Sequence, residues 1–189
     1  EMRGFGRLTE AARRFGKVEE IDLLTLTTAL NWLAENTDKR CSVLLYEESI
    51  ISDKSLSQLK SALKDHRQVL SRLSLELREH TAATHPIAFR QFCRMADKLL
   101  VNTGLKRVGE SFSKVADVHE FGLKYLKIDS TYVYDVVNNR SNQVYLNGLA
   151  DLAHSLGMAV IADGVVSQKD EEVLISMGFD GITRLDSKR

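Results

Sequence analysis

The sequence predicts an α/β fold with a mostly parallel sheet, either open or closed into a barrel. Six apolar runs have the length of a strand, and each is preceded by a segment with helical periodicity. The chain has 189 residues, which is enough for one domain with a sizeable core. Hydrophobic residues make up 43% of the chain and Pro86 is its single proline, so a disordered or proline-rich segment is excluded.

Charge and cysteine content exclude several classes of function. The 26 Lys and Arg residues balance the 26 Asp and Glu residues, whereas proteins that bind nucleic acid or anionic membranes usually carry a basic excess. No apolar run approaches the roughly 18 residues of a transmembrane helix. The two cysteines, Cys41 and Cys93, stand apart, which favours a reducing compartment and argues against a disulfide scaffold or a cysteine-based zinc site.

Helices and strands alternate through the first half of the chain. The first helical segment is predicted to break at Gly16, and Asp22 is assigned to its polar side. Ser52 and Asp53 can cap the next helix, and Pro86 suits the first turn of a third. The predicted helices cover 7–37, 54–63 and the residues after 86, and the predicted strands cover 41–46, 73–77 and 101–105.

The same alternation continues through the second half. Ser141 and Asn142 can cap a clear amphipathic helix, and Gly157 occupies the position where helices commonly end. The predicted strands cover 125–129, 158–162 and 179–183, and further helices are predicted around 115–121 and over 168–177.

Charged residues stand where the predicted strands end, and this is the main functional signal. In parallel α/β folds the carboxyl ends of the strands converge on the ligand site. Facing carboxylates favour Mg²⁺, and a nearby lysine can orient a water or a phosphate oxygen. Solvated loop residues or buried ion pairs are the alternative interpretation of each position alone. The residues concerned are Glu76, Lys106, Arg107, Lys127, Asp129 and Asp163.

Several segments resemble the motifs of EAL domains, the cyclic di-GMP phosphodiesterases and their degenerate relatives. Residues 125–133 are similar to the family's "LKID-x-x-F-V" segment, and 160–165 to its "V-x-AEGVE" strand and loop. Residues 75–79 look like "LEITE", and 12–22 look like "AERxGLIxxID". The resemblance implies a modified TIM-like (β/α)8 barrel with one antiparallel strand. It also implies a site for cyclic di-GMP that, in active members, holds two Mg²⁺ or Mn²⁺ ions.

Departures from the family pattern predict that hydrolysis is lost. When the motifs are matched, Leu44 stands where the family has a metal-binding Asn, and Lys106 and Arg107 stand where it has two aspartates. Asp163 stands at the position of a glutamate, which is one methylene longer, and Thr183 at the position of a glutamine. Two cations at a metal bridge would repel the metals, and a two-metal mechanism needs both ions. We therefore expect no catalytic residues and no bound metal, with Glu76, Lys127 and Asp163 as remnants of the catalytic site.

A narrower resemblance is to the EAL domains of LapD-type receptors, carried by residues 101–113, 142–157 and 178–183. It implies an inner-membrane parent protein with a periplasmic module, a HAMP segment and a degenerate GGDEF domain, of which this chain is a cytoplasmic part. Such a domain binds cyclic di-GMP without cleaving it and thereby controls adhesion and biofilm. Pairing into a homodimer is left open, and no nucleic-acid polymer is expected as a partner.

The expected ligand-binding residues are the charged residues at the strand ends and one aromatic residue, Phe112. Phe112 either stacks on a guanine or belongs to the core. Lys106 and Arg107 either contact the ligand phosphates or pair with Glu76, and pairing is slightly favoured. The full set is Glu76, Lys106, Arg107, Phe112, Lys127, Asp129 and Asp163.

Two other functions remain open. A degenerate EAL domain that binds only protein partners is the first alternative, and a residual phosphodiesterase is the second. The histidines are dispersed, and none has the spacing of a metal ligand to another.

The length of the chain is short for the whole fold. A complete (β/α)8 barrel needs about 250 residues. We therefore expect residues 1–189 to form an EAL domain that lacks the strand with the EAL signature and the C-terminal end of the barrel.

Overall fold

The structure is a computed structural model that describes residues 9–109, 112 and 118–184. The chain divides into two compact units. The first contains 1–77 and 84–102, and the second contains 78–83 and 103–189. No helix in the part of the chain that the structure describes is both long and apolar enough to cross a membrane.

The elements alternate as the sequence predicts. The helices are α1 over 9–14, α2 Val18–Glu35, α3 Glu47–Ile51, α4 Asp53–Asp65, α5 Glu79–Thr84, α6 Pro86–Lys98, α7 Ser130–Val133, α8 Arg140–Ser155 and α9 Gln168–Ser176. The strands are β1 Cys41–Leu44, β2 Leu73–Arg78, β3 Asn102–Val108, β4 Tyr125–Ile128, β5 Ala159–Val165 and β6 Gly181–Arg184. Short 3-10 helices cover Arg67–Arg72, Val118–Phe121 and Val136–Asn138.

In the first unit β1 and β2 form a parallel pair in which Leu44 is the register partner of Glu76. Packed leucine and phenylalanine side chains from α2, α4 and α6 form the core of this unit. Burying such side chains supplies most of the free energy that holds helices on a sheet. The buried residues include Leu26, Leu30, Leu33, Leu59, Leu63, Phe89 and Phe92.

Asp22 corrects the prediction for α2, because its side chain lies on the buried face rather than the polar one. It is only 2% exposed. Its Oδ2 accepts hydrogen bonds from the Tyr46 backbone N–H at 2.7 Å and the Ser49 hydroxyl at 2.6 Å. Leu24 on the same helix is exposed. The carboxylate thus takes a core position because two donors near the start of α3 satisfy it.

The predicted helix ends hold with one exception. Ser52 accepts a hydrogen bond from the Ser55 N–H at the start of α4, and Pro86 occupies the first turn of α6. In α8 the cap is Asn139 rather than Ser141 or Asn142, because the Asn139 side chain accepts from the Asn142 N–H at 3.0 Å. The helix therefore begins at Arg140, two residues earlier than a cap at Ser141 would have placed it.

In the second unit β3, β4, β5 and β6 pair in parallel in chain order. Register shifts occur between Lys106 and Val108 in β3 and between Ala162 and Val165 in β5. Such β-bulges leave a residue unpaired and turn side chains in new directions, and they are common next to active sites. Both bulges lie at the carboxyl ends of their strands.

The six predicted strands are all present, with shifted ends. Strand β3 runs to Val108, so Lys106 and Arg107 lie within the strand rather than after it. The short helices α3, α5 and α7 were not predicted, because segments of four to six residues carry little periodicity. Of the helix predicted at 115–121, the last part is a 3-10 turn, and residues 115–117 lie outside the described residues.

Candidate functional site

The carboxyl ends of β3, β4 and β5 bring three of the predicted site residues together. Lys106 and Lys127 are register partners on β3 and β4. Lys106 Nζ lies 3.3 Å from Asp163 Oδ2, and both side chains are partly exposed. Lys106 is thus bound to the carboxylate, whereas Lys127 Nζ lies 5.7 Å from the centroid of the Tyr125 ring at the start of β4.

Thr183 holds the other oxygen of Asp163. Its hydroxyl donates to Asp163 Oδ1 and accepts from the Gly164 N–H at 3.1 Å. Gly164 has a φ of 79°, the left-handed region that glycine adopts without strain, so the bulge in β5 can turn here. The sequence identified Thr183 only as the loss of a glutamine and missed its role as the partner of Asp163.

Arg107 occupies the bulge of β3 in a left-handed conformation, with a φ of 58°. Its Nε donates to Asp129 Oδ2 at 2.8 Å. Asp129 also caps α7 by accepting from the Thr131 N–H and hydroxyl, both at 2.9 Å. Partial burial acts to raise the pKa of Asp129, but the hydrogen bonds from Arg107 and Thr131 outweigh it, so the pKa lies below its ordinary value.

Gly109 follows β3 and is held on three sides. Its N–H donates to Glu79 Oε1 at 3.2 Å, and its carbonyl accepts from the Tyr145 hydroxyl. A Cβ at this position would overlap the ring of Tyr132. Because no larger residue fits, this contact fixes the point at which the chain leaves β3.

Phe112 is buried, at 4% exposure. Its neighbours at 110–111 and 113–117 lie outside the described residues. Burial is compatible with a core position, and the stacking role expected from the sequence stays a prediction.

Glu76 belongs to the first unit and is buried, at 3% exposure. Its backbone carbonyl accepts from the Leu45 N–H at 2.8 Å. Burial raises the pKa of the neighbouring Cys41, and the charge of Glu76 adds to this effect. The expected pairing of Glu76 with Lys106 or Arg107 stays a prediction, whereas Asp163 and Asp129 are the partners that the structure gives these two cations.

These strand ends are a poor fit for the pair of divalent cations that the family resemblance implies. Asp163 is bound by an ammonium and a hydroxyl, and Asp129 by a guanidinium and the start of α7. Lys106 adds positive charge beside the Asp163 carboxylate that a metal would need. Among residues 9–109, 112 and 118–184, no three His, Cys, Asp or Glu side chains are grouped so that they could hold a metal ion.

Parallel strands alternating with helices, with charged side chains at the strand ends, define an α/β protein of the class whose ligand sites lie at the carboxyl ends of the strands. The EAL domain model matches residues 5–183. The chain therefore belongs to the EAL domain family.

Solved structures share this fold over most of the chain. The structure "Vibrio cholerae LapD S helix-GGDEF-EAL (bound to c-di-GMP)" superposes with a TM-score of 0.87 at 18% identity, covering 95% of this chain and 44% of that one. The FimX EAL domain from Pseudomonas aeruginosa bound to c-di-GMP gives a TM-score of 0.86 at 24% identity, covering 95% of this chain and 73% of that one. The superpositions confirm the predicted partial EAL barrel. At identities this low they establish the fold and nothing further.

Curated relatives are similar in sequence over much of this chain. Cyclic di-GMP phosphodiesterase PdeF of Escherichia coli is 22% identical over 173 residues, which cover 89% of this chain and 23% of that protein. The RNase E specificity factor CsrD of the same organism is 22% identical over 169 residues, covering 89% of this chain and 26% of that protein. The chain thus spans about a quarter of the length of these two relatives.

Proposed function

We propose that this EAL domain binds cyclic di-GMP and does not hydrolyse it. The observation that carries the proposal is the ion pair between Lys106 and Asp163 at the end of β3 and β5. An ammonium group takes up the carboxylate that a metal would need, and the same ammonium suits a phosphodiester oxygen.

The proposed ligand site uses the two lysines as phosphate contacts. Lys106 and Lys127 are register partners, so their side chains leave the same face of the sheet. Lys127 Nζ lies 5.7 Å from the centroid of the Tyr125 ring and would turn from it towards the phosphate on binding. Arg107 is held by Asp129 and can present its remaining N–H donors to a second phosphate. In the second unit Asp163 is proposed as an acceptor for ligand N–H or hydroxyl groups, and Phe112 as a stacking surface for a guanine. Glu76 is proposed separately as an acceptor on the first unit.

Calorimetry and a product assay test the two halves of this proposal. Cyclic di-GMP should bind the protein, and no linear dinucleotide should form in Mg²⁺ or Mn²⁺. Lys106→Ala should weaken binding about tenfold, since it removes one charge-assisted contact. Lys39→Ala is the matched control, because Lys39 is also a lysine paired with an aspartate, Asp38 at 2.9 Å, and should bind as tightly as the unaltered protein.

Two other results would each replace this proposal. No change in melting temperature at about 1 mM cyclic di-GMP would contradict the proposed ligand binding. It would favour the alternative in which the domain binds only protein partners. Turnover that disappears in Lys127→Ala would instead show a residual phosphodiesterase, the activity named in the relative PdeF.

We further propose that the chain is a cytoplasmic part of a LapD-like inner-membrane receptor that controls adhesion and biofilm. It would act with GGDEF and HAMP segments of the same protein. The support is the similarity of fold to a GGDEF-EAL protein of which this chain covers 44%. Fractionation of the full-length protein with the inner membrane is the expected result, and recovery in the soluble fraction would contradict it.

A further inference from the structure

A groove between α4 and α6 in the first unit has no role in the proposed ligand site. It encloses about 600 Å³. Leu56, Met95 and Leu99 contribute the apolar part of its lining. Met95 is buried and the two leucines are partly exposed, so the apolar atoms lie at the bottom of the groove rather than on a protruding face.

Five cationic side chains line the same groove against the single carboxylate of Asp53. All five are exposed, and none has a salt bridge or side-chain hydrogen bond within the described ranges 9–109, 112 and 118–184. Their positive charge around one groove is therefore left to solvent, available to an acidic partner. The five are Lys60, Lys64, Arg67, Arg94 and Lys98.

Helical spacing aligns these cations in two rows. Lys60 and Lys64 are four residues apart on α4, and Arg94 and Lys98 are four apart on α6. Residues at this spacing lie one above the other on a helix face. The groove therefore has a positive rim on each side and an apolar floor between the rims.

The end of α6 adds an independent observation. Leu100, immediately after Leu99, has a φ of 59° and its side chain is 80% exposed. A non-glycine residue in this conformation is strained, and an exposed leucine gains nothing from burial. Leu100 is not part of the groove lining, but a partner in the groove that extends past Leu99 would bury this apolar side chain and offset the cost of its exposure.

We propose that the groove binds an acidic amphipathic helix of a partner protein. Apolar side chains on one face of such a helix would enter the floor, and flanking Asp and Glu side chains would pair with the two rims. Within residues 9–109, 112 and 118–184 no aromatic side chain lines the groove for base stacking, which disfavours a nucleic acid. A membrane is disfavoured because the apolar atoms lie at the bottom of a concave surface.

A fluorescent peptide of about 16 residues, with Leu and Glu at helical spacing, tests this proposal by anisotropy. The peptide should bind with a Kd below about 100 μM and more weakly at high salt. The double variant Lys60→Glu/Lys64→Glu should bind at least about tenfold more weakly. Arg14→Glu/Lys169→Glu has the same change in charge at exposed residues outside the groove and should leave binding unchanged.

Two further measurements distinguish specific binding of the helix from non-specific electrostatic binding. A peptide with every Leu replaced by Gln keeps the charge and should bind at least about tenfold more weakly. Amide resonances of α4 and α6 should shift on titration with the Leu and Glu peptide. Equal binding of the two peptides, equal loss in both double variants, or tighter binding of a single-stranded oligonucleotide or of anionic vesicles would each overturn the proposal.

Discussion

Arg107 Nε donates to Asp129 Oδ2 at 2.8 Å, which joins the bulge of β3 to the residue that caps α7. Arg107 itself is largely exposed, whereas the Asp129 side chain is only 13% exposed. The exposed guanidinium thus determines the environment of a mostly buried carboxylate.

Removal of this guanidinium should raise the pKa of Asp129. In Arg107→Ala the hydrogen bond and the positive charge are lost, while burial and the Thr131 bonds remain. The pKa should therefore rise from below its ordinary value towards it. Carboxyl carbon NMR resonances followed through a pH titration measure this, and Arg184→Ala, distant in sequence, is the control. An Asp129 titration identical in the variant and the unaltered protein would contradict the assignment.

Asp22 should make the protein less stable as the pH rises from 4 to 7. Burial raises its pKa to about 6, against an unfolded value of about 3.9. Between these values the folded state binds more protons than the unfolded state, so this contribution is fully present below about pH 4 and is lost as pH rises through 6. The full span is at most roughly 3 kcal/mol.

Denaturant unfolding at several pH values, compared with Asp22→Asn, isolates this effect. The asparagine stays neutral and can still accept from Ser49 or Tyr46, so its stability should change less over this pH range. Parallel curves for the two proteins would mean that Asp22 does not titrate in this range.

Leu100→Gly should stabilise the protein although it removes a large side chain. Leu100 has a φ of 59° and is mostly exposed, so glycine relieves strain and loses little burial. The net gain should be about 0.5–1 kcal/mol in the free energy of unfolding. Leu100→Ala is the control, because it removes the side chain and keeps the strain. Equal stability of the two variants would show that the conformation carries no cost.

Two glycines should respond to alanine in opposite ways. Gly109→Ala places a Cβ against the Tyr132 ring and should destabilise the protein by about 1–3 kcal/mol. Gly148 lies within α8 with nothing near its Cβ position, so Gly148→Ala should stabilise by about 0.5–1 kcal/mol. Thermal unfolding of both variants measures the difference, and the same sign for both would contradict it.

The sequence predicted the order of strands and helices because apolar periodicity records which residues are buried. It also placed Lys106, Lys127 and Asp163 near strand ends, and the structure pairs Lys106 with Asp163 and sets Lys127 beside Lys106 in register. The strand pattern was enough to find these positions. The resemblance to known motifs was needed to group them as one site, since a charged residue at one strand end is by itself a weak signal.

The partners of the charged residues could not be predicted from the sequence. Two ion pairs depend on bulges that shift the strand register by one residue: Lys106 with Asp163, and Arg107 with Asp129. A bulge does not change the pattern of apolar residues in the sequence, so it could not be predicted. Asp22 was assigned to solvent for a similar reason. Its burial depends on donors from Tyr46 and Ser49, more than 20 residues along the chain.

The bulges also bear on how readily this site could change its chemistry. A residue in a bulge is left without a ladder partner, and its side chain takes a direction that regular pairing would not give it. Arg107 and Asp163 both lie where their strands lose register. The identity of the groups presented at this edge therefore depends on two local irregularities of the backbone, and removing either bulge would alter the site while leaving the order of strands as it is.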